Sequence, residues 1–127
     1  INTISELVEF IKLAVSNNWK NAAVITNDFQ IPRAQKMYEL MYEDPDFILK
    51  ENPERNKVEE ALRRFKNNGG KISFVEAEKI LPLRSPRYSK LIEAVKQTDA
   101  YKKRIEVEKQ ALKQLNDRTY RIYWQPS

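Results

Sequence analysis

Asn18-Trp19-Lys20-Asn21-Ala22-Ala23-Val24-Ile25-Thr26-Asn27-Asp28-Phe29-Gln30-Ile31-Pro32-Arg33-Ala34 reads as a buried strand, a polar turn and the start of a helix. Ala22 to Ile25 is a continuous apolar run, short enough for a strand. Such a run suits a parallel strand covered on both faces better than an alternating strand with one wet face. Thr26, Asn27 and Asp28 then bring polar side chains to its carboxyl end. Pro32 fits the first turn of a helix, where a missing N–H costs nothing. Arg33 follows at once. In open α/β sheets, ligands bind beyond the carboxyl ends of the strands. A helix N-terminus there offers free N–H groups and a positive dipole end to an anion. A ligand site is therefore expected at this turn.

On the N-terminal side, Thr3-Ile4-Ser5-Glu6 has the form of a capping box. Ile4, Leu7, Val8, Ile11, Ala14 and Val15 follow it at helical spacing, and Asn17-Asn18 end the helix. On the other side, a helix is expected from Pro32 to Tyr42, with Ala34, Met37, Tyr38 and Met41 on its apolar face. The first third, residues 1–42, thus reads helix, strand, helix.

The rest, 43–127, reads as helical elaboration within one domain. Glu43 to Asn52 is a connection anchored by Phe47, Ile48 and Leu49. Asn52 reads as an N-cap with Pro53 at the first helical position. The helix that follows carries Val58, Ala61, Leu62 and Phe65 and stops at Asn67-Asn68-Gly69-Gly70. Ser73-Phe74-Val75-Glu76 reads as a second capping box, opening a short helix closed by Pro82. Ser85-Pro86 starts a helix with Tyr88, Leu91, Ile92 and Val95 on one face. Thr98 caps a long final helix bearing Tyr101, Ile105, Ala111, Leu112 and Leu115. Thr119 to Trp124 is either a terminal strand or an extended tail that packs two aromatics.

One strand cannot form a sheet, and a buried parallel strand needs neighbours. Two architectures meet that problem. In one, the domain is all-helical. In the other, which is preferred, the chain is the later part of an α/β sandwich whose remaining strands lie outside it. A chain opening on a capping box, without Met, suits the second.

Composition narrows the chemistry. The chain has 127 residues, 41% of them hydrophobic, enough for one core. It has two glycines, and no G-x-G-x-x-G or Walker pattern. With no cysteine and no histidine, it has no thiol nucleophile, no thiolate metal site and no imidazole base or ligand. No metal site and no catalytic set is assigned. An enzymatic role would need Asp28 or a carboxylate from elsewhere as base. The net charge is +5, but acidic and basic residues are interleaved, so the surface reads as solvated rather than as a nucleic-acid footprint. Tyr38, Phe65, Tyr88, Tyr101 and Tyr120 fall at helical core positions and read as packing rather than base-stacking. No run approaches the ~20 apolar residues of a membrane span. A cytoplasmic location is the expectation.

Asn2-Thr3, Trp19-Lys20, Val24-Ile25-Thr26 and Ile31-Pro32-Arg33-Ala34 together resemble the second half of the YdcF-like (SanA/ElyC-type) family. The resemblance covers Ile1 to about Tyr42. It implies a Rossmann-like parallel-sheet sandwich, with the first strands and their glycine-rich turn upstream. It implies a ligand-binding role, with S-adenosylmethionine or a nucleotide as the kind of ligand, and a link to cell-envelope metabolism. It implies that Asn2, Thr3, Thr26, Asn27, Gln30 and Arg33 line the site. The family's histidine falls on Gln30, which cannot titrate near neutrality, so an acid/base role carried by it would be lost.

Several residues also have a plainer reading. Arg33 and Thr26 suit an anion clamp, or a surface ion pair and a strand end. Asp28 suits a ribose or metal contact, or a helix cap. Arg84, Arg87 and Tyr88 could form a second anion site but read as a solvated face. The expected partners are an anionic small molecule and the strands that complete the domain. The alternative function is a helical interaction module for a protein or nucleic acid.

Overall fold

Two helices, closed by the same kind of turn, deliver the two strands of a parallel sheet. The computed structural model describes residues 3–85 and 87–124, and of 81–84 the backbone only. Helix α1 (Thr3–Ser16) ends where Asn18 takes φ 54°. There the Trp19 N–H donates to the Ala14 carbonyl (2.9 Å) and the Asn18 N–H to that of Val15 (3.2 Å). This is the Schellman pattern, which satisfies carbonyls left over at a helix end. Strand β1 (Asn21–Thr26) follows. The chain then makes a 3-10 turn (Asp28–Gln30) and enters α2 (Ile31–Glu43), with Pro32 in its first turn.

A short helix α3 (Pro45–Ile48) and helix α4 (Arg55–Asn67) complete the crossover. At the end of α4, Gly69 takes φ 77°, the Gly70 N–H donates to the Phe65 carbonyl (2.7 Å) and the Gly69 N–H to that of Lys66 (3.0 Å). Strand β2 (Lys71–Glu76) then runs parallel to β1, in register from Asn21 opposite Lys71 to Thr26 opposite Glu76. Helices α5 (Ala77–Arg84), α6 (Arg87–Lys96) and α7 (Asp99–Asn116) come last.

The core sits on one face of this strand pair. Ile4, Leu7, Val8, Ile11 and Ala14 of α1 meet Met37, Leu40 and Met41 of α2, Ile48 and Leu49 around α3, and Val58, Leu62 and Phe65 of α4. Ile72 and Phe74 of β2 pack against the same cluster. Each large side chain so buried contributes about 1.5–3 kcal/mol. Leu115 of α7 joins the cluster, and Tyr120, Ile122 and Trp124 of the tail lie over it.

The fold is thus mixed α/β and helix-dominated, and the all-helical alternative is set aside. Several sequence expectations change. Ser73 to Glu76 is strand, not the start of a helix, because pairing with β1 captures the backbone that a capping box would have bent. β1 is not covered on both faces: its burial alternates, and Ile25 is 58% exposed. Helix α4 begins at Arg55 rather than Pro53; the Asn52 side chain instead accepts the Glu54 N–H (2.8 Å), an Asx turn. Pro82 does not close α5, which runs to Arg84. Residues 119–124 are not strand; they form the aromatic-packing tail. Tyr88 is not core but 40% exposed, beside exposed Leu91 and Val95 on α6. The Thr98 cap stands, its hydroxyl accepting the Tyr101 N–H at 3.2 Å.

Candidate functional site

The carboxyl end of β1 lies where α1, α2 and α7 converge. A cleft of about 330 Å³ opens there between the first turns of α1 and the last half of β1. Thr3, Glu6 and Phe10 of α1 form one wall; Val24, Ile25 and Thr26 of β1 form another; Gln30 and Ala34 close it. Its lining mixes apolar surface with a carboxylate, two hydroxyls and a carboxamide. The Thr26 hydroxyl donates to the Gln30 side-chain oxygen at 2.7 Å, which fixes the amide so that its NH₂ is left to donate.

Arg33 stands behind this cleft. Its Nε lies 2.8 Å from Glu108 Oε2 of α7, and Arg104 lies 3.1 Å from the other carboxylate oxygen. Glu108 is 6% exposed and Arg33 14%. The approach of Arg33 Nε is close but off-axis, so charge rather than an aligned hydrogen bond holds it. The two Nη groups donate to Tyr120 (3.3 Å) and to the Thr3 hydroxyl (3.4 Å). The buried carboxylate is thus held by charge between two guanidiniums, and removing one partner would leave a buried charge less well paired.

Asp28 faces elsewhere. Its Oδ2 accepts the Tyr101 hydroxyl (2.7 Å), with Lys96 at 3.7 Å, and its Oδ1 accepts the Phe29 N–H (2.7 Å). Its own N–H donates to Glu78 beyond β2 (3.0 Å). Burial, and then the Asp28 carboxylate beside it, push the Tyr101 hydroxyl up to about 12. Asp28 borders a second, apolar cleft of about 220 Å³ with Phe29, Ile105 and Leu112.

Of the residues singled out from sequence, Thr3, Thr26 and Gln30 share the first cleft, with Arg33 reaching its wall through Thr3. Asn27 is exposed just past β1. Asp28 belongs to the joint with α7, and it takes the N–H of the next residue rather than capping α2. Asn2 and the side chain of Arg84 lie outside the described residues. Arg87 is exposed at the start of α6.

Sequence reading missed Glu6, Phe10, Glu108 and Tyr120. For Glu108 a signal exists. It falls on the apolar stripe of α7, three residues before Ala111 and seven before Leu115, where a carboxylate needs a buried cation. Among the described residues, no group of acidic side chains is placed to hold a metal, and no helix is long and apolar enough to cross a membrane. No family model, curated protein or solved structure matches this chain.

Proposed function

We propose that the chain binds an anionic small molecule of nucleotide type, or S-adenosylmethionine through its carboxylate, in the cleft at the carboxyl end of β1, as part of a YdcF-like, Rossmann-like domain. The supporting observation is convergence: Thr3, Thr26 and Gln30, from three separate elements, meet in one cleft, and Arg33 stands behind it, donating to the Thr3 hydroxyl of its wall. Phe10, Leu7 and Val24 offer an apolar surface for a base. Glu6, Thr26 and Gln30 suit ribose hydroxyls. Arg33 keeps Glu108 on Nε, while its Nη groups sit on neutral hydroxyls that a phosphate or carboxylate can displace.

Calorimetric titration with ATP and with S-adenosylmethionine tests this. Thr26→Ala and Gln30→Ala are expected to weaken binding by about tenfold each, roughly one hydrogen bond's worth. Binding of neither ligand, or equal binding by both variants, defeats the reading.

A second reading, an interaction module, draws on α6 alone. Tyr88, Leu91 and Val95 are 40%, 57% and 47% exposed along one side of that helix. Pull-down that is lost on Leu91→Glu, with no effect of Thr26→Ala, would favour it.

A further inference from the structure

We infer that α6 is a membrane-surface element, whose exposed apolar side seats at the headgroup boundary of a bilayer rich in anionic phospholipid. The inference uses α6 and not the cleft, and it commits the open side of that helix to lipid rather than to a protein partner.

The first observation is an amphipathic helix whose apolar side is not spent on the core. Tyr88, Leu91, Ile92 and Val95 fall at i, i+3, i+4 and i+7, one side of a helix. In a folded domain such a stripe normally faces the interior. α1, α2, α4 and α7 follow that rule and bury apolar side chains. No residue of α6 is buried. Tyr88, Leu91 and Val95 are exposed and Ile92 is half-buried. Large apolar side chains left open along one side mark an interaction surface.

The second observation is charge. The interleaving of acids and bases along the chain fails in one place. Residues 87–104 are α6, the turn at Gln97-Thr98 and the first turns of α7. They hold Arg87, Lys90, Lys96, Lys102, Lys103 and Arg104 against Glu93 and Asp99, four of the chain's five net positive charges in 18 residues. Arg87, Lys90, Lys102 and Lys103 are exposed and have no carboxylate partner among the described residues. The partner of this surface is therefore anionic.

The third observation is how α6 is held. It packs beside α5 and α7, and Lys96 reaches back to Asp28 past the end of β1 (3.7 Å). A helix fastened along its own domain is not free to be wrapped by a partner's groove, which takes a helix from several sides. A flat surface reaches the open side without displacing anything. Cations beside an apolar stripe suit a bilayer: lipid phosphates take the Lys and Arg, the acyl boundary takes Leu91 and Val95, and the amphipathic Tyr88 ring sits where the two meet. A nucleic acid would use the cations and leave the stripe in water.

Co-sedimentation of the 127-residue chain with vesicles of phosphatidylglycerol and phosphatidylcholine in equal parts tests this, with phosphatidylcholine vesicles as the reference. Binding is expected to the anionic vesicles only, and it should fall as salt is raised. Leu91→Ser with Val95→Ser should weaken it by about tenfold or more. Both side chains are exposed, so circular dichroism and thermal unfolding of that variant should stay close to the parent. Arg87→Gln with Lys90→Gln should weaken binding about fivefold for each charge lost. Lys50→Gln with Arg63→Gln removes the same charge from exposed positions after α3 and on α4, and should leave binding within about twofold. Tyr88→Trp reads depth: its added emission, over that of Trp19 and Trp124 in the parent, should be quenched by lipids brominated on the acyl chain.

The inference is overturned if the chain does not bind anionic vesicles at low salt, or if the Lys50 and Arg63 changes weaken binding as much as those at Arg87 and Lys90. It also fails if Leu91→Ser with Val95→Ser binds like the parent, or if Tyr88→Trp is not quenched, since either would mean attraction to phosphate without insertion. A dimer in sedimentation equilibrium that the Leu91 and Val95 changes dissolve would make a second copy the occupant and overturn it too.

Discussion

The units α1–β1 and α4–β2 are built alike, yet they solve the same turn with opposite side chains. In each, a Schellman turn closes the helix and a parallel strand follows. At the first, small Ala14 accepts from the amide of large Trp19; at the second, large Phe65 accepts from the amide of Gly70. These two positions normally touch, so their volumes trade against each other. Trp19 has room to lean on Phe10, with ring centroids 6.4 Å apart. Gly70 has none: a Cβ there would lie 2.5 Å from the Phe65 carbonyl oxygen and 2.6 Å from its ring. The first turn is tolerant and the second is sterically committed.

The largest test of that contrast is Phe65→Ala. Phe65 is 2% exposed in the common core, so truncation should cost about 3–5 kcal/mol in denaturant unfolding. A cost near 1 kcal/mol would mean that the second turn is as tolerant as the first. Next comes Gly70→Ala, expected to cost about 1–3 kcal/mol because the clash is with backbone as well as ring. Trp19→Ala, at the matching position of the first unit, should cost less, since Trp19 is 43% exposed.

A third prediction concerns the joint between the strand exits. Asp28 follows β1, Glu78 follows β2, and the two are hydrogen-bonded; Tyr101 clamps Asp28 from α7. Tyr101→Phe should cost about 0.5–1.5 kcal/mol. The pH dependence has a definite sign. The hydroxyl is raised in the folded state from its ordinary ~10, so its contribution is whole below about pH 10 and is lost as pH climbs through about 12. Thermal unfolding of parent and Tyr101→Phe should therefore converge over that window. The smallest effect is expected for Glu60→Ala on α4. Its pair with Arg64 is half-exposed, and the change should stay within about 0.5 kcal/mol.

The same pair of units shows what could be read from residues alone. α1, β1 and α2 were legible because each carries its own period: helical spacing from Ile4 to Ala14, an unbroken apolar run, then helical spacing again. The Asn18 and Gly69 stops were legible because only some residues take positive φ cheaply. β2 was not legible. Lys71-Ile72-Ser73-Phe74-Val75-Glu76 alternates as a half-covered strand should, but Ser73 and Glu76 also spell a helix cap. Local sequence supports both, and β1 decides between them. In the cleft, Thr26 was marked by its place at the strand end, and Thr3 and Gln30 only by the family resemblance. Glu6 and Phe10 were not, because α1 touches β1 only in three dimensions.

Sequence alone was thus enough for most of the helices, the stops at Asn18 and Gly69, one strand and the absence of thiol and imidazole chemistry. These depend on side-chain type and spacing along one segment. The tertiary structure alone decided that Lys71 to Glu76 is a strand, that Tyr88 faces solvent, and that Arg33 is bound to Glu108. Each of those depends on what another segment brings within a few ångströms. A backbone with two acceptable local states takes the one whose hydrogen bonds and burial a distant partner completes.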